Sequence, residues 1–217
     1  MKKYEIIAFD LDGTLSDPAE GLISSFEYTM KKLSLSYESR ESLKRFIGPP
    51  LYDEWRRCFS FTETEADRAI AVFREYYSVY GWWDNRIYPG VVELLSAIKD
   101  SGKKIILATS KPEVFARKIL KRFDIERYFD FISGACGEKV RDKKHEVLEY
   151  ALASLGEINR NNVILVGDRK YDAEGARLCK VDSLGVLYGH GSCEEIAEAG
   201  FTYIAKTVSD VGKILLS

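Results

Sequence analysis

Short unbroken apolar runs recur along the chain, and several end abruptly in polar residues. Ile6–Phe9 is followed by Asp10, Lys104–Ala108 by Thr109 and Ser110, and Val163–Val166 by Gly167 and Asp168. Runs this short, apolar at successive positions, predict parallel strands buried on both faces. Weaker strands are expected at Phe129–Ser133, Ser183–Leu187 and Tyr203–Ile204. Between them the apolar spacing lengthens to a helical period. Pro89-Gly90 opens a helix carrying Val91, Leu94, Leu95 and Ile98, and Pro112 starts another with Phe115, Ile119 and Phe123 inward. Further helices are predicted over Lys143–Leu155, through Ala173, Ala176 and Leu178, near Glu194–Ala199 and over Val208–Leu216.

One block departs from this rhythm. From residue 18 to residue 84 nothing reads as a strand. Asp17-Pro18 is expected to cap a helix over 18–34, carrying Leu22, Ile23, Phe26, Met30 and Leu33. A short helix over Ser39–Phe46 is broken by Gly48-Pro49-Pro50, and Thr62 to Glu65 has the form of a capping box opening a long helix. Strands alternating with helices imply a parallel sheet covered on both faces, interrupted once by an all-helical insertion. The expected organisation is a core of residues 1–16 and 85–217 with a helical cap of residues 17–84, joined by two close linkers that could act as a hinge.

Composition narrows the function classes. The apolar share of 46% is that of an ordinary globular protein. A net charge of -2 from 32 basic and 34 acidic residues argues against a nucleic-acid polymer as partner. No apolar run approaches the ~18 residues of a membrane span, and the opening segment does not read as a signal peptide. Cys58, Cys136, Cys179 and Cys193 form no C-x-x-C pair, which suits reduced thiols and a cytoplasmic setting.

The candidate chemistry lies at the strand ends, where open α/β sheets hold their ligands. Asp10 and Asp12 are two carboxylates in one turn, which repel by about 4 kcal/mol at ~4 Å and an effective dielectric of ~20. A cation or a proton has to stabilise the pair. Thr109 and Ser110, Asp168 with Asp172 one helical turn beyond, and Lys143 or Lys144 could all reach the same edge. Each has a plainer reading: a solvated turn for the D-x-D, helix caps for Thr109-Ser110 and Asp168, surface charge for the lysines. Together they form the inventory for a phosphate monoester, namely nucleophile, acid, phosphate ligands and a hard cation. The candidate ligands are oxygens and no Cys/His cluster exists, so Mg²⁺ suits them better than Zn²⁺ and His145 and His190 are not expected to be ligands.

FDLDGTL, ILATSKP, DKKHEVL and VGDRKYD, in this order, resemble the four motifs of the haloacid dehalogenase-like hydrolase superfamily, most closely its phosphoglycolate phosphatase-like and bacterial 5′-nucleotidase-like branch. The resemblance implies an α/β fold, a Rossmann-like parallel-sheet core with an inserted helical cap. It implies a Mg²⁺-dependent phosphatase acting on a small phosphorylated metabolite through an aspartyl-phosphate. Asp10 would be the nucleophile, and Asp12 the residue that protonates the leaving oxygen and then activates water. Thr109, with Ser110, would bind phosphate oxygens. A lysine would neutralise charge, the spacing favouring Lys144 over Lys143. Asp10, Asp12 through its backbone carbonyl, and Asp168 would hold Mg²⁺, with Asp172 behind or beside them. Arg169 stands where many relatives carry a small hydroxyl residue; it either meets a second acidic group of the substrate or pairs with Asp172 or another local carboxylate. In the cap, Arg45 and Gly48 are the candidate substrate contacts, while Trp55, Trp82 and Trp83 stack on a base or serve as packing. A monomer or homodimer is expected, with no membrane partner. A β-phosphoglucomutase-like sugar-phosphate mutase is the alternative on the same scaffold. A non-catalytic phosphate-binding or phospho-accepting regulatory protein is the alternative of another class.

Overall fold

The computed structural model describes residues 4–48, 51–136 and 140–217. Pro49, Pro50 and Gly137 of the predicted turns, and the side chain of Arg45, lie outside the described residues. The chain divides into two compact units, Met1–Asp17 with Ile87–Ser217, and Pro18–Arg86.

The first unit is a six-stranded sheet. Its strands are β1 (Ile6–Phe9), β2 (Lys104–Pro112), β3 (Phe131–Ala135), β4 (Val163–Gly167), β5 (Asp182–Val186) and β6 (Tyr203–Ala205). Their spatial order is β3-β2-β1-β4-β5-β6, with every pairing parallel. The apolar runs are continuous because both faces are covered. Ile6, Ala8, Ile106, Ala108, Val163 and Leu165 share one cluster with Val147, Leu148, Ala151 and Leu152 of α6 (Lys144–Ala153) and Ala176 of α7 (Lys170–Leu178). The alternate residues Ile7, Phe9, Ile105, Leu107, Ile164 and Val166 are equally buried, as period-two geometry requires of a two-sided strand.

Register decides what meets at the top of the sheet. Phe9 is level with Leu107 on one side and Val166 on the other, and the Asp10 N–H donates to the Val166 carbonyl at 2.9 Å. The residues immediately beyond these positions therefore share one edge. The connections leave β1 in opposite directions there, which is where open α/β sheets form a crevice.

Several local expectations are corrected. β2 runs on to Pro112, with a register irregularity between Ala108 and Pro112, so Thr109 and Ser110 are strand residues and not helix caps. α4 (Val91–Asp100) precedes β2, and the helix after β2, α5 (Glu113–Arg122), buries Ala116, Ile119 and Leu120, leaving Phe115 and Phe123 half-buried. Leu178 is exposed, because at the last turn of α7 it faces away from the stripe of Ala173 and Ala176. Asp17 does not cap the first helix of the insertion. Pro18 occupies that position with no side-chain cap, while Asp17 lies in a two-residue extended segment.

The second unit, Pro18–Arg86, contains α1 (Ala19–Lys32), a 3₁₀ turn over Glu41–Phe46, α2 (Leu51–Phe59) and α3 (Glu63–Tyr76), followed by a π-helical turn over Tyr77–Gly81. The predicted capping box is present: Thr62 Oγ1 accepts from the Glu65 N–H, and Glu65 Oε2 accepts from the Thr62 N–H at 2.8 Å. Its interior is aromatic. Phe26 lies 4.9 Å from Phe46, 5.0 Å from Phe73 and 6.0 Å from Trp55, so Trp55 is part of the core of this unit. Trp82 is half-buried and Trp83 is exposed. Gly48 is exposed with a φ of 104°.

Candidate active site

The turn after β1 sets the site. Gly13 has a φ of 83°, and its N–H donates to the Ser16 carbonyl at 2.7 Å, folding Asp12 back toward the sheet edge. A side chain at Gly13 is excluded twice: a Cβ there would lie 2.0 Å from Asp168 Oδ2, in a backbone conformation that favours glycine. Gly189 closes the other side, where a Cβ would lie 2.3 Å from that of Asp168. The Asp168 carboxylate is thus clamped between two glycine backbones. Its Oδ2 accepts the His190 N–H at 2.8 Å, and its Oδ1 is buried with no hydrogen-bond donor among the described residues.

Lys144 is the central cation. Glu146 Oε2 accepts the N–H groups of Asp142 and Lys143 at 2.9 Å each, starting α6 so that Lys144 is its first residue. Its ammonium lies 2.7 Å from Asp10 Oδ1 and 2.9 Å from Asp172 Oδ1, and donates to the Ala108 carbonyl at 3.0 Å. The two carboxylate contacts are ion pairs, and the Ala108 carbonyl takes the hydrogen bond. Burial alone would lower the pKa of Lys144, but the two carboxylates outweigh that and raise it, so the ammonium stays charged. Lys143 is exposed.

Asp172 is held by accepting the Arg169 N–H at 3.0 Å. One carboxylate oxygen each of Asp10, Asp168 and Asp172 lies within 4.8 Å of the others. Asp168 is pushed up to about 7, by burial first and then by Asp172 and Asp10. Asp172 is pushed up to about 6, by burial first, with Lys144 opposing and Asp10 adding to the rise. An all-oxygen cluster in which Oδ1 of Asp10, of Asp168 and of Asp172 is each buried with no hydrogen-bond donor among the described residues fits a hard divalent cation such as Mg²⁺. The Asp12 carboxylate is not in this cluster; it is ion-paired to Lys111.

A pH dependence follows. In the metal-free protein, Asp168 and Asp172 hold protons that the unfolded chain releases near pH 4. For these two groups folding takes up protons, so stability falls as pH rises from about pH 5 to pH 7. That window lies above the range where carboxylates held down by hydrogen bonds and ion pairs, such as Glu146 and Glu149, act in the opposite sense. Thermal unfolding with a chelator present should show a falling Tm over that window, and Mg²⁺ should raise Tm more at pH 7.5 than at pH 5. A flat or rising chelated profile would refute it.

The remaining candidates separate. Thr109 is buried within β2, its Oγ1 accepting the Lys111 N–H at 3.2 Å, and Ser110 is exposed. Arg169 pairs with Glu195 at 2.9 and 3.2 Å, a local carboxylate other than Asp172. The His190 ring is half-buried with Nε2 3.4 Å from Asp17 Oδ1, while its backbone serves Asp168. The resemblance assigns no role to Lys111, although Lys111 stands two residues after Thr109, both being buried on either side of exposed Ser110.

Comparison with known proteins agrees with this arrangement. The family described as "Haloacid dehalogenase-like hydrolase" matches residues 7–186. A 5′-nucleotidase of Pseudomonas aeruginosa is 35% identical over 215 residues, covering 99% of this chain and 97% of that one. Tyrosine-protein kinase PtkA of Mycobacterium tuberculosis is 34% identical over 213 residues, covering 97% of this chain and 72% of that protein. The crystal structure of a predicted phosphatase from Clostridium acetobutylicum superposes with a TM-score of 0.94 at 40% identity, covering 99% of each chain. The chain belongs to the haloacid dehalogenase-like hydrolases and is a phosphatase of that family.

Proposed function

We propose that this phosphatase hydrolyses a small phosphate monoester, of the 5′-nucleotide or phosphoglycolate type, with Mg²⁺ and through an aspartyl-phosphate on Asp10. The observation that carries the reading is the Lys144 ammonium held between Asp10 and Asp172, beside the undonated oxygen of Asp168. In the first step the Asp10 carboxylate forms a bond to phosphorus as the ester P–O bond breaks. Asp12 gives its proton to the leaving oxygen. In the second step water attacks the phosphoryl group, Asp12 takes the proton, and the bond to Asp10 breaks to release inorganic phosphate. Thr109 and Ser110 bind phosphoryl oxygens, and Lys144 keeps charge balanced around Asp10. Asp10, Asp168 and the Asp12 carbonyl would hold Mg²⁺, with Asp172 beside them. Bound there, the cation offsets the negative charge of the phosphate.

The inserted helical unit selects the substrate in this reading, with Gly48 and Arg45 as contacts. The 5′-nucleotide type is supported by the relative of that name. Among the described residues no helix is long and apolar enough to cross a membrane, and we place the reaction in the cytoplasm, in a monomer or homodimer.

The test is phosphate release with Mg²⁺ from a panel of 5′-mononucleotides, phosphoglycolate and hexose phosphates. One class should exceed the others at least about tenfold in kcat/KM, a discrimination of roughly 1.4 kcal/mol. Isomerisation of a hexose phosphate without phosphate release would assign a mutase. Phosphorylation of tyrosine from ATP, with no monoester hydrolysed, would assign a kinase. Binding without any turnover would leave a non-catalytic protein.

A further inference from the structure

Asp12 carries the proton in both proposed steps, and its carboxylate is anchored. The Lys111 ammonium, with 4% of its side chain exposed, is ion-paired to Asp12 Oδ2. The two partners are held from separate elements. Lys111 is fixed by its N–H to Thr109 Oγ1 on β2, and Asp12 by the Gly13–Ser16 turn after β1. The other carboxylate oxygen, Asp12 Oδ1, is buried and accepts no hydrogen bond among the described residues. Lys144 does not serve Asp12, because its ammonium is ion-paired to Asp10 and Asp172 and donates to the Ala108 carbonyl. The site therefore has two buried ammonium groups, one at each catalytic carboxylate.

We propose that Lys111 is a positioning residue for the water step: it fixes Oδ2 of Asp12 and leaves Oδ1 as the oxygen that takes the proton. This rests on the reading of Asp10 as nucleophile and Asp12 as proton carrier. In that step an O–H bond of water breaks and its proton goes to Asp12 Oδ1. The water oxygen bonds to phosphorus, the bond from phosphorus to Asp10 breaks, and its electron pair returns to the Asp10 carboxylate. An untethered Asp12 samples other rotamers, and misplacement by ~1 Å is enough to cost about 100-fold in a proton-transfer step.

The two steps can be separated kinetically. p-Nitrophenolate leaves without protonation, so with p-nitrophenyl phosphate Asp12 is needed only in the second step. The parameter kcat/KM reports events up to transfer to Asp10, whereas kcat includes hydrolysis of the intermediate. Lys111→Met should lower kcat about 10- to 100-fold, leave kcat/KM within about threefold of wild type, and so lower KM in parallel. Phosphorylated protein should accumulate in acid-quenched samples read by mass spectrometry. Lys111→Arg should recover most of kcat, and its kcat/KM should stay at the wild-type level even if the methionine variant does not fold. An unchanged kcat in Lys111→Met would overturn the proposal. A parallel fall of kcat and kcat/KM without accumulated phosphoprotein, in either variant, would also overturn it. Wild-type protein that turns over and never carries phosphate on Asp10 would overturn both this proposal and the nucleophile assignment.

Discussion

Replacing Asp10 by asparagine is expected to lower kcat by at least about 10⁴-fold while leaving the protein folded. The amide keeps the size of the carboxylate but not its nucleophilic oxygen. Its neighbours tolerate the change. Lys144 keeps Asp172 at 2.9 Å and the Ala108 carbonyl at 3.0 Å, so no buried ammonium is stranded. The cluster of Asp10, Asp168 and Asp172 loses one of its negative charges, and Asp10 is one of the groups raising the other two. The metal-free variant should therefore unfold at a temperature equal to or above that of wild type near pH 7.5. Stability retained with activity lost is the signature of a site that stores charge repulsion for function. Steady-state kinetics with thermal unfolding decides the matter. Activity above about 1% of wild type in a freshly prepared variant would remove Asp10 from the nucleophile's position.

Lys144→Met is expected to fail in both respects. Its side chain is 6% exposed, and removing the ammonium leaves Asp10 and Asp172 facing each other without the cation between them. Breaking a buried pair by deleting one partner costs ~3 kcal/mol or more, because the remaining charge is uncompensated. The loss has a predictable pH dependence. Asp172 is already pushed up to about 6 with Lys144 opposing the rise, so without Lys144 it rises further. Protonation then relieves the variant at low pH, and the destabilisation should be larger at pH 8 than at pH 6. Turnover should fall on the order of 10³-fold, since charge around the attacking carboxylate and the phosphate is no longer balanced. Lys143→Met is the control. Its side chain is exposed, and its stability should stay within about 0.5 kcal/mol of wild type. Denaturant titrations at the two pH values, beside kinetics, test this. Equal losses in the two variants would contradict the arrangement around Asp10.

Much of the architecture was legible along the chain. The runs at Ile6–Phe9, Lys104–Ala108 and Val163–Val166 identify two-sided buried strands because strand hydrophobicity is a local property, and the absence of such runs from 18 to 84 identifies the helical insertion. The capping box at Thr62 was equally readable, since its partners are three residues apart. Failures were local too. The Asp17-Pro18 pattern predicts a cap that the fold does not use, and helical spacing puts Phe115 and Phe123 inward where the smaller Ala116 and Leu120 are buried.

By itself, the sequence determined which residues stand at strand ends and which chemistry they offer, because strand length and polarity are written over four or five neighbouring positions. The tertiary structure alone decided which of them meet. Strand order and register bring Lys111 to Asp12 across 99 residues, Lys144 to the Ala108 carbonyl across 36 and the His190 N–H to Asp168 across 22. No apolar pattern encodes that order, since each strand would be equally buried beside a different neighbour. The spacing already favoured Lys144 over Lys143, but only the tertiary structure brings its ammonium to Asp10 and Asp172. The division of the two opening carboxylates, one facing Lys144 and the other facing Lys111, exists only once β1 lies between β2 and β4.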